Sequence, residues 1–185
     1  MRVIAGTARS IPLKSREGLD TRPTGDRVKV AVFNVIQFEI PGARVLDLFG
    51  GSGQMAIEAL SRGASGAVIV DASAEAMEII RENLTRTKLA PMAKTVRADY
   101  LEYLNGCRER FDLIFLDPPY RENFLENALK RISEIDILKS GGIIVCEKPA
   151  GKTLEACYGE IRHTKDYRYG KTEISIFRRE DPCLI

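Results

Sequence analysis

Apolar residues in this chain come in short unbroken runs separated by segments of helical period, and that alternation predicts most of the architecture. From Ala43 onward, residues 44–49 form a strand, Gly50-Gly51-Ser52-Gly53 a tight turn, and residues 54–61 a helix closed by Arg62 and a C-terminal glycine, Gly63. Residues 67–71 form a second buried strand. Ser73 caps a helix running to about Lys88, and residues 93–98 are a third strand ending at Asp99-Tyr100. A fourth strand spans 111–116. A helix at 121–133 carries Phe124, Leu125, Ala128, Leu129 and Ile132 on one stripe, and a fifth strand spans 142–146. The pattern then changes. Residues 160–168 and 172–178 are consecutive strands joined by Tyr169-Gly170-Lys171, which predicts an antiparallel hairpin at a sheet edge.

Strands alternating with helices imply right-handed crossovers and a parallel sheet covered on both faces. The expectation is an α/β fold: a doubly wound, mostly parallel seven-stranded sheet with a terminal antiparallel hairpin. Residues 1–42 precede it as a small β-hairpin/helix extension, and residues 43–185 form the core of a single domain. In the extension, residues 2–5 and 11–14 read as short strands. The turn-rich Thr21-Arg22-Pro23-Thr24-Gly25-Asp26-Arg27 leads into a helix, with Asp26 or Thr24 as its N-cap. Val28, Val32, Val35 and Ile36 recur at helical spacing before Pro41-Gly42 ends the pattern.

Composition narrows the class. The N-terminus has no apolar segment of a secretory signal, and no stretch approaches membrane-spanning length, so a cytoplasmic protein is expected. Cys107, Cys146, Cys157 and Cys183 are scattered and His163 is the only histidine, which is poor material for a metal site; reduced structural thiols are expected. Residues 1–44 carry eight Lys/Arg against four Asp/Glu, residues 45–161 fourteen against eighteen, and residues 162–185 six against four. Basic ends around an acidic centre suggest termini that meet a polyanion.

Two stretches carry chemistry. The first is Gly51-x-Gly53-x-x-Ala56, between a strand and a helix, with Asp71 some twenty residues on. Such a loop admits a nucleotide-like ligand at a helix N-terminus, with the acid on ribose hydroxyls. It suits NAD or S-adenosyl-L-methionine. Asp47, just before the loop, can meet a cationic amino group, and Asp99-Tyr100 can meet an adenine, which favours the latter. A nicotinamide oxidoreductase would also need a substrate domain and a hydride-handling acid or base, and neither is visible. The second stretch is Asp117-Pro118-Pro119-Tyr120, where two prolines end the fourth strand. Its carboxylate and outward carbonyls can accept hydrogen bonds from an exocyclic amine, while Tyr120 stacks the base.

These stretches, with Thr21-Arg22-Pro23-Thr24, Glu58-Ala59-Leu60-Ser61-Arg62-Gly63-Ala64 and Tyr169-Gly170-Lys171-Thr172, make the chain resemble RsmD-type small-subunit rRNA guanine-N2 methyltransferases along nearly its whole length. The resemblance implies a Rossmann-like class I methyltransferase core using S-adenosyl-L-methionine. It implies cofactor contacts from Asp47, Phe49, Gly51, Ser52, Gly53, Asp71, Ala72, Asp99 and Tyr100, and a catalytic turn of Asp117, Pro118, Pro119 and Tyr120. Arg22, Thr24 and Arg27 would contact substrate. The implied partner is 16S rRNA within the small ribosomal subunit or its assembly intermediate, with no membrane and no metal. Methylation of an amine in DNA or another RNA, and a non-catalytic RNA-binding assembly protein, stand as alternatives. Gly25, Val30 and Met55-Ala56 depart from the family's usual residues.

Overall fold

A computed structural model describes residues 1–15, 23–119 and 123–180. Arg22, Tyr120 and Cys183, and the side chains of Thr24 and Asp26, lie outside the described residues. One sheet organises the chain: β1 (Arg44–Asp47), β2 (Gly66–Asp71), β3 (Ala93–Arg97), β4 (Phe111–Leu116), β5 (Leu138–Pro149), β6 (Cys157–Tyr158), β7 (Ile161–Tyr169) and β8 (Thr172–Arg179). Their spatial order is β3-β2-β1-β4-β5-β8-β7-β6. Strands β1 to β5 pair in parallel, and β6, β7 and β8 join antiparallel. The sheet thus has eight strands instead of the expected seven. The extra one, β6, pairs only Cys157 and Tyr158 with β7, too short a segment to show a period.

Helices cover both faces. Helices α1 (Pro23–Val35), α2 (Gln54–Ser61) and α3 (Ala74–Arg86) send Val32, Phe33, Ile57, Leu60, Met77 and Ile80 into one core. Helices α4 (Tyr100–Gly106) and α5 (Phe124–Glu134) build the other with Leu104, Leu125, Leu129 and Ile132. The strands feed the two cores alternately: Val45, Leu113, Phe115, Ile143 and Val145 on the first face, Leu46, Ile114, Leu116, Ile144 and Cys146 on the second. Burying both faces explains why these strands read as continuous apolar runs.

Several expectations change in detail. Asp99 does not merely end a strand: its carboxylate accepts from Leu101 N–H (2.8 Å) and caps α4, a helix that residues 100–106 did not announce. Thr24 and Asp26 fall inside α1, so neither is its N-cap; Pro23 occupies the first helical position, where a missing N–H costs nothing. The N-terminal hairpin shrinks to one bridge, Arg2 with Pro12. Strand β5 runs on to Pro149, past the expected end at Cys146. Among the described residues no helix is long and apolar enough to cross a membrane, and no group of three or more His, Cys, Asp or Glu is placed to hold a metal ion.

The N-terminal arm is fastened to the sheet by a buried acid. Glu58 of α2 accepts from the N–H groups of Ile4 (2.8 Å) and Ala5 (3.0 Å) and from Arg62 Nε (2.7 Å), with Lys29 Nζ 4.0 Å away. Lys29 in turn donates to the Arg2 carbonyl (2.7 Å). Four charged or polar partners around one enclosed carboxylate compensate its desolvation. The arm and α1 are thereby held to one side of the sheet.

Candidate active site

The carboxyl ends of β1, β2, β4 and β5 meet at one edge, where open α/β sheets bind ligands. At the end of β1 the chain turns through Gly50 to Gly53. Gly53 N–H donates to Gly50 O (2.6 Å), and Gly50 N–H donates to Val70 O (2.8 Å) at the end of β2. Gly51 and Gly53 both sit at positive φ, 56° and 77°, a conformation that would strain any residue with a Cβ. The turn delivers the backbone directly to the N-terminus of α2. Asp71 braces it: one carboxylate oxygen accepts from Gly51 N–H and the other from Ser73 N–H, each at 2.8 Å. Each oxygen keeps a second lone pair, so Asp71 retains acceptor capacity for a diol.

Asp47 lies beneath the loop, 2% exposed, with the N–H of Ala56 donating to it at 3.3 Å. Desolvation dominates its acidity and, with the nearby charge of Asp71, pushes its pKa up to about 7 against the backbone donors Ala56 and Phe49. A buried carboxyl held this high gains most from an arriving cation. The donor set therefore fits an S-adenosylmethionine-type ligand: a buried acid for the ammonium, a glycine turn for close approach, and Asp71 for a ribose. Phe49, half-buried, stands over this edge and packs on Tyr100 (centroids 5.2 Å) and Phe124 (6.3 Å). Tyr100 itself is buried in the second core, so of this pair Phe49 presents the more accessible face. Ser52 lies within the loop and its carbonyl accepts from Asn83 Nδ2 (2.9 Å), while Ala72 follows Asp71, which braces the loop. Asp99 is exposed, and its capping bond engages one carboxylate oxygen.

The Asp117 turn opens beside this loop. Asp117, Val28, Val32, Phe115, Val145 and Glu147 line a cavity of about 120 Å³ between α1 and the ends of β4 and β5. Asp117 is exposed at its mouth, Pro118 is buried and Pro119 exposed. Close packing behind the carboxyl, then the charges of Glu147 and Asp47, raise the Asp117 pKa well above the ordinary value. Water at the open mouth screens part of that penalty, so the shift is smaller than full enclosure would give.

The structure therefore gathers Asp47, the glycine loop, Asp71 and the Asp117 turn at one edge, with Arg27 exposed on α1 nearby in sequence to the cavity-lining Val28. Two site features escaped the sequence reading. Glu147 lines the cavity, but the fifth strand was ended one residue before it; the period-two series Ile143, Val145, Glu147 was the available signal. Asn83, fully buried on α3, donates to the carbonyls of both Lys14 and Ser52 (2.9 Å each) and ties the arm to the glycine loop. A polar residue in an apolar helix stripe was its only trace.

Sheet order, terminal antiparallel strands and a ligand edge with a glycine loop over a buried acid define the class I methyltransferase architecture. The chain belongs to the family described as conserved hypothetical protein 95, which matches residues 1–178. It is 38% identical over 182 residues to a Bacillus subtilis protein named "Putative rRNA methyltransferase YlbH", covering 97% of this chain and 99% of that one. It is 35% identical over 159 residues to the Haemophilus influenzae "Ribosomal RNA small subunit methyltransferase D", covering 83% and 81%. Among solved structures, the Escherichia coli "Putative methyltransferase yhhF" superimposes with a TM-score of 0.88 at 29% identity, covering 97% of this chain and 98% of that one.

Proposed function

We infer that this protein is an S-adenosylmethionine-dependent methyltransferase acting on the exocyclic N2 amine of a guanine in small-subunit rRNA. The observation that carries the reading is the placement of Asp117 at the mouth of a base-sized cavity, on the same sheet edge as the glycine loop and Asp47. The names of the relatives support rRNA as the substrate class. When bound, the cofactor supplies an electrophilic methyl on a sulfonium; the protein's own groups do the rest.

An exocyclic base amine is a weak nucleophile because its lone pair is delocalised into the ring. Asp117 and the Pro118 carbonyl, each accepting one N–H, favour a pyramidal nitrogen with its lone pair free for the methyl carbon. Asp117, its proton affinity raised by its neighbours, is suited to take the surplus proton afterwards. Tyr120 stacks the base, which must leave its own stack to enter the cavity. Positioning and electrostatics carry the rate. Thr24 and Arg27 of α1, together with Arg22, which precedes it in sequence, are proposed to hold the RNA backbone, and the basic ends extend that contact.

The test offers labelled methyl donor to undermethylated small subunits, naked small-subunit rRNA and DNA, then maps the product by mass spectrometry. N2-methylguanine in rRNA is the expected product. Label in DNA alone, or on an adenine, refutes the reading.

A further inference from the structure

Glu147 has a place in this pocket that the catalytic turn does not account for. The register of β4 on β5 runs Ile114 with Ile144, Phe115 with Val145 and Leu116 with Cys146. One step further sets Asp117 against Glu147 on neighbouring parallel strands. Alternation fixes the face: Phe115, Ile143 and Val145 belong to the first core, so Asp117 and Glu147, two residues beyond Phe115 and Val145, share that side. Both line the same cavity under Val28 and Val32 of α1. The Glu147 charge is also among the causes that raise the Asp117 pKa, so the two carboxyls feel one another. Two carboxyls in adjacent register set acceptor oxygens side by side at the cavity wall, an arrangement that suits a ligand with two adjacent donors.

Among the nucleobases, guanine offers such a pair beside its target amine: the N2 amino group and the neighbouring ring N1–H. Adenine and cytosine place a ring-nitrogen lone pair next to their amines, and a carboxylate set against that lone pair repels it. We propose that Glu147 is the specificity-determining residue of the site, accepting the guanine N1–H while Asp117 and the Pro118 carbonyl accept the N2 hydrogens. The assignment rests on the guanine-N2 reading and supplies its missing physical basis, because the Asp-Pro-Pro-Tyr turn recognises an amine without naming its base. Gln54, at the start of α2, also lines the cavity and has a carboxamide able to donate to the guanine O6.

The test compares guanine with 2-aminopurine at the mapped position of an otherwise identical small-subunit rRNA. 2-Aminopurine keeps the C2 amine but has an acceptor at N1. The wild-type protein is expected to prefer guanine by on the order of 100-fold in kcat/KM, as a charge-assisted hydrogen bond lost at a desolvated site implies. Glu147→Gln should lose on the order of 10- to 100-fold on guanine while holding or gaining on 2-aminopurine, since its carboxamide N–H can donate to N1. The preference then collapses. An equal fall on both bases overturns the proposal and leaves Glu147 a structural residue. Glu147→Asp provides a second arm if the amide variant does not fold: it should keep the guanine preference at reduced rate, and loss of preference at full rate contradicts the assignment. Failure of the underlying reading looks different, because the wild-type protein would then methylate a base other than guanine.

Discussion

At the scale of single residues, Asp47 shows function held against stability. Its folded-state pKa of about 7 lies above the ordinary value of 3.8. A carboxyl raised in this way favours the fold while protonated; that advantage is complete below about pH 3.8 and is lost as pH rises through 7. Asp47→Asn should therefore unfold at a higher temperature than the wild type at pH 8, by up to about 4 kcal/mol of stability, with the gap closing toward pH 4. Differential scanning calorimetry of the two apo proteins measures this; equal midpoints at pH 8 would refute the burial argument. The same variant should lose cofactor affinity. In the wild type, affinity should fall about tenfold from pH 8 to pH 6, because the ammonium requires the ionised acid and one proton must leave on binding. Isothermal titration calorimetry in buffers of different ionisation heat detects that proton. The position of Asp47 was legible in the sequence because a charge inside an apolar strand before a glycine turn is conspicuous. Glu147 was not, because the apolar run that marks the fifth strand stops at Cys146 and a charged residue beyond it carries no sign of burial.

Among elements, the N-terminal arm and α1 decide whether the pocket has a wall. Glu58 is fully buried and holds the arm through Ile4, Ala5 and Lys29. Gly6 passes so close to α2 that an added Cβ would lie 1.7 Å from the Ser61 carbonyl oxygen, and its φ is +81°. Glu58→Ala takes away the acceptor of the Ile4 and Ala5 N–H groups and of Arg62 and should cost about 2–4 kcal/mol, and Gly6→Ala should cost at least about 2 kcal/mol. Urea denaturation would register both; costs below about 0.5 kcal/mol would show that the arm is loosely attached. The Glu-Ala-Leu-Ser-Arg-Gly-Ala stretch was visible as a motif in the sequence, but its purpose was not. The arm partners of Glu58, Ile4 and Ala5, lie some fifty residues away, and no period links a helix to a distant arm. Helices α2, α3 and α5 and the parallel strands were readable because each repeats an apolar spacing. Helix α4 was not, for it is a short helix fixed by its Asp99 cap, and β6 is too short to repeat anything.

At the scale of the whole molecule, charge is divided so that the sheet edge is acidic and the chain ends are basic. The acids at Asp47, Asp71, Asp117 and Glu147 suit a cationic cofactor and a donor-rich base edge, while the RNA backbone must be met elsewhere. Arg27, exposed on α1, is the residue proposed for that contact. Arg27→Ala should weaken RNA binding and make the slope of log K against log salt shallower by about one, with cofactor affinity unchanged. Fluorescence anisotropy across a salt series measures it, and an unaltered slope would remove Arg27 from the interface. The overall α/β architecture and the glycine turn at the sheet edge could be read from the sequence, since both follow from local spacing. The cavity could not, because it is enclosed by α1, β4, β5 and β8, which meet only in the folded chain.

The central claim is that Asp117 acts on the amine and not on the cofactor. Single-turnover methyl transfer to undermethylated small subunits, measured alongside cofactor affinity for the wild type and Asp117→Ala, tests it most directly. The account predicts a fall in transfer of at least about 100-fold with cofactor affinity within about threefold of the wild type. Transfer at the wild-type rate by Asp117→Ala, or a loss explained wholly by weaker cofactor binding, would contradict it.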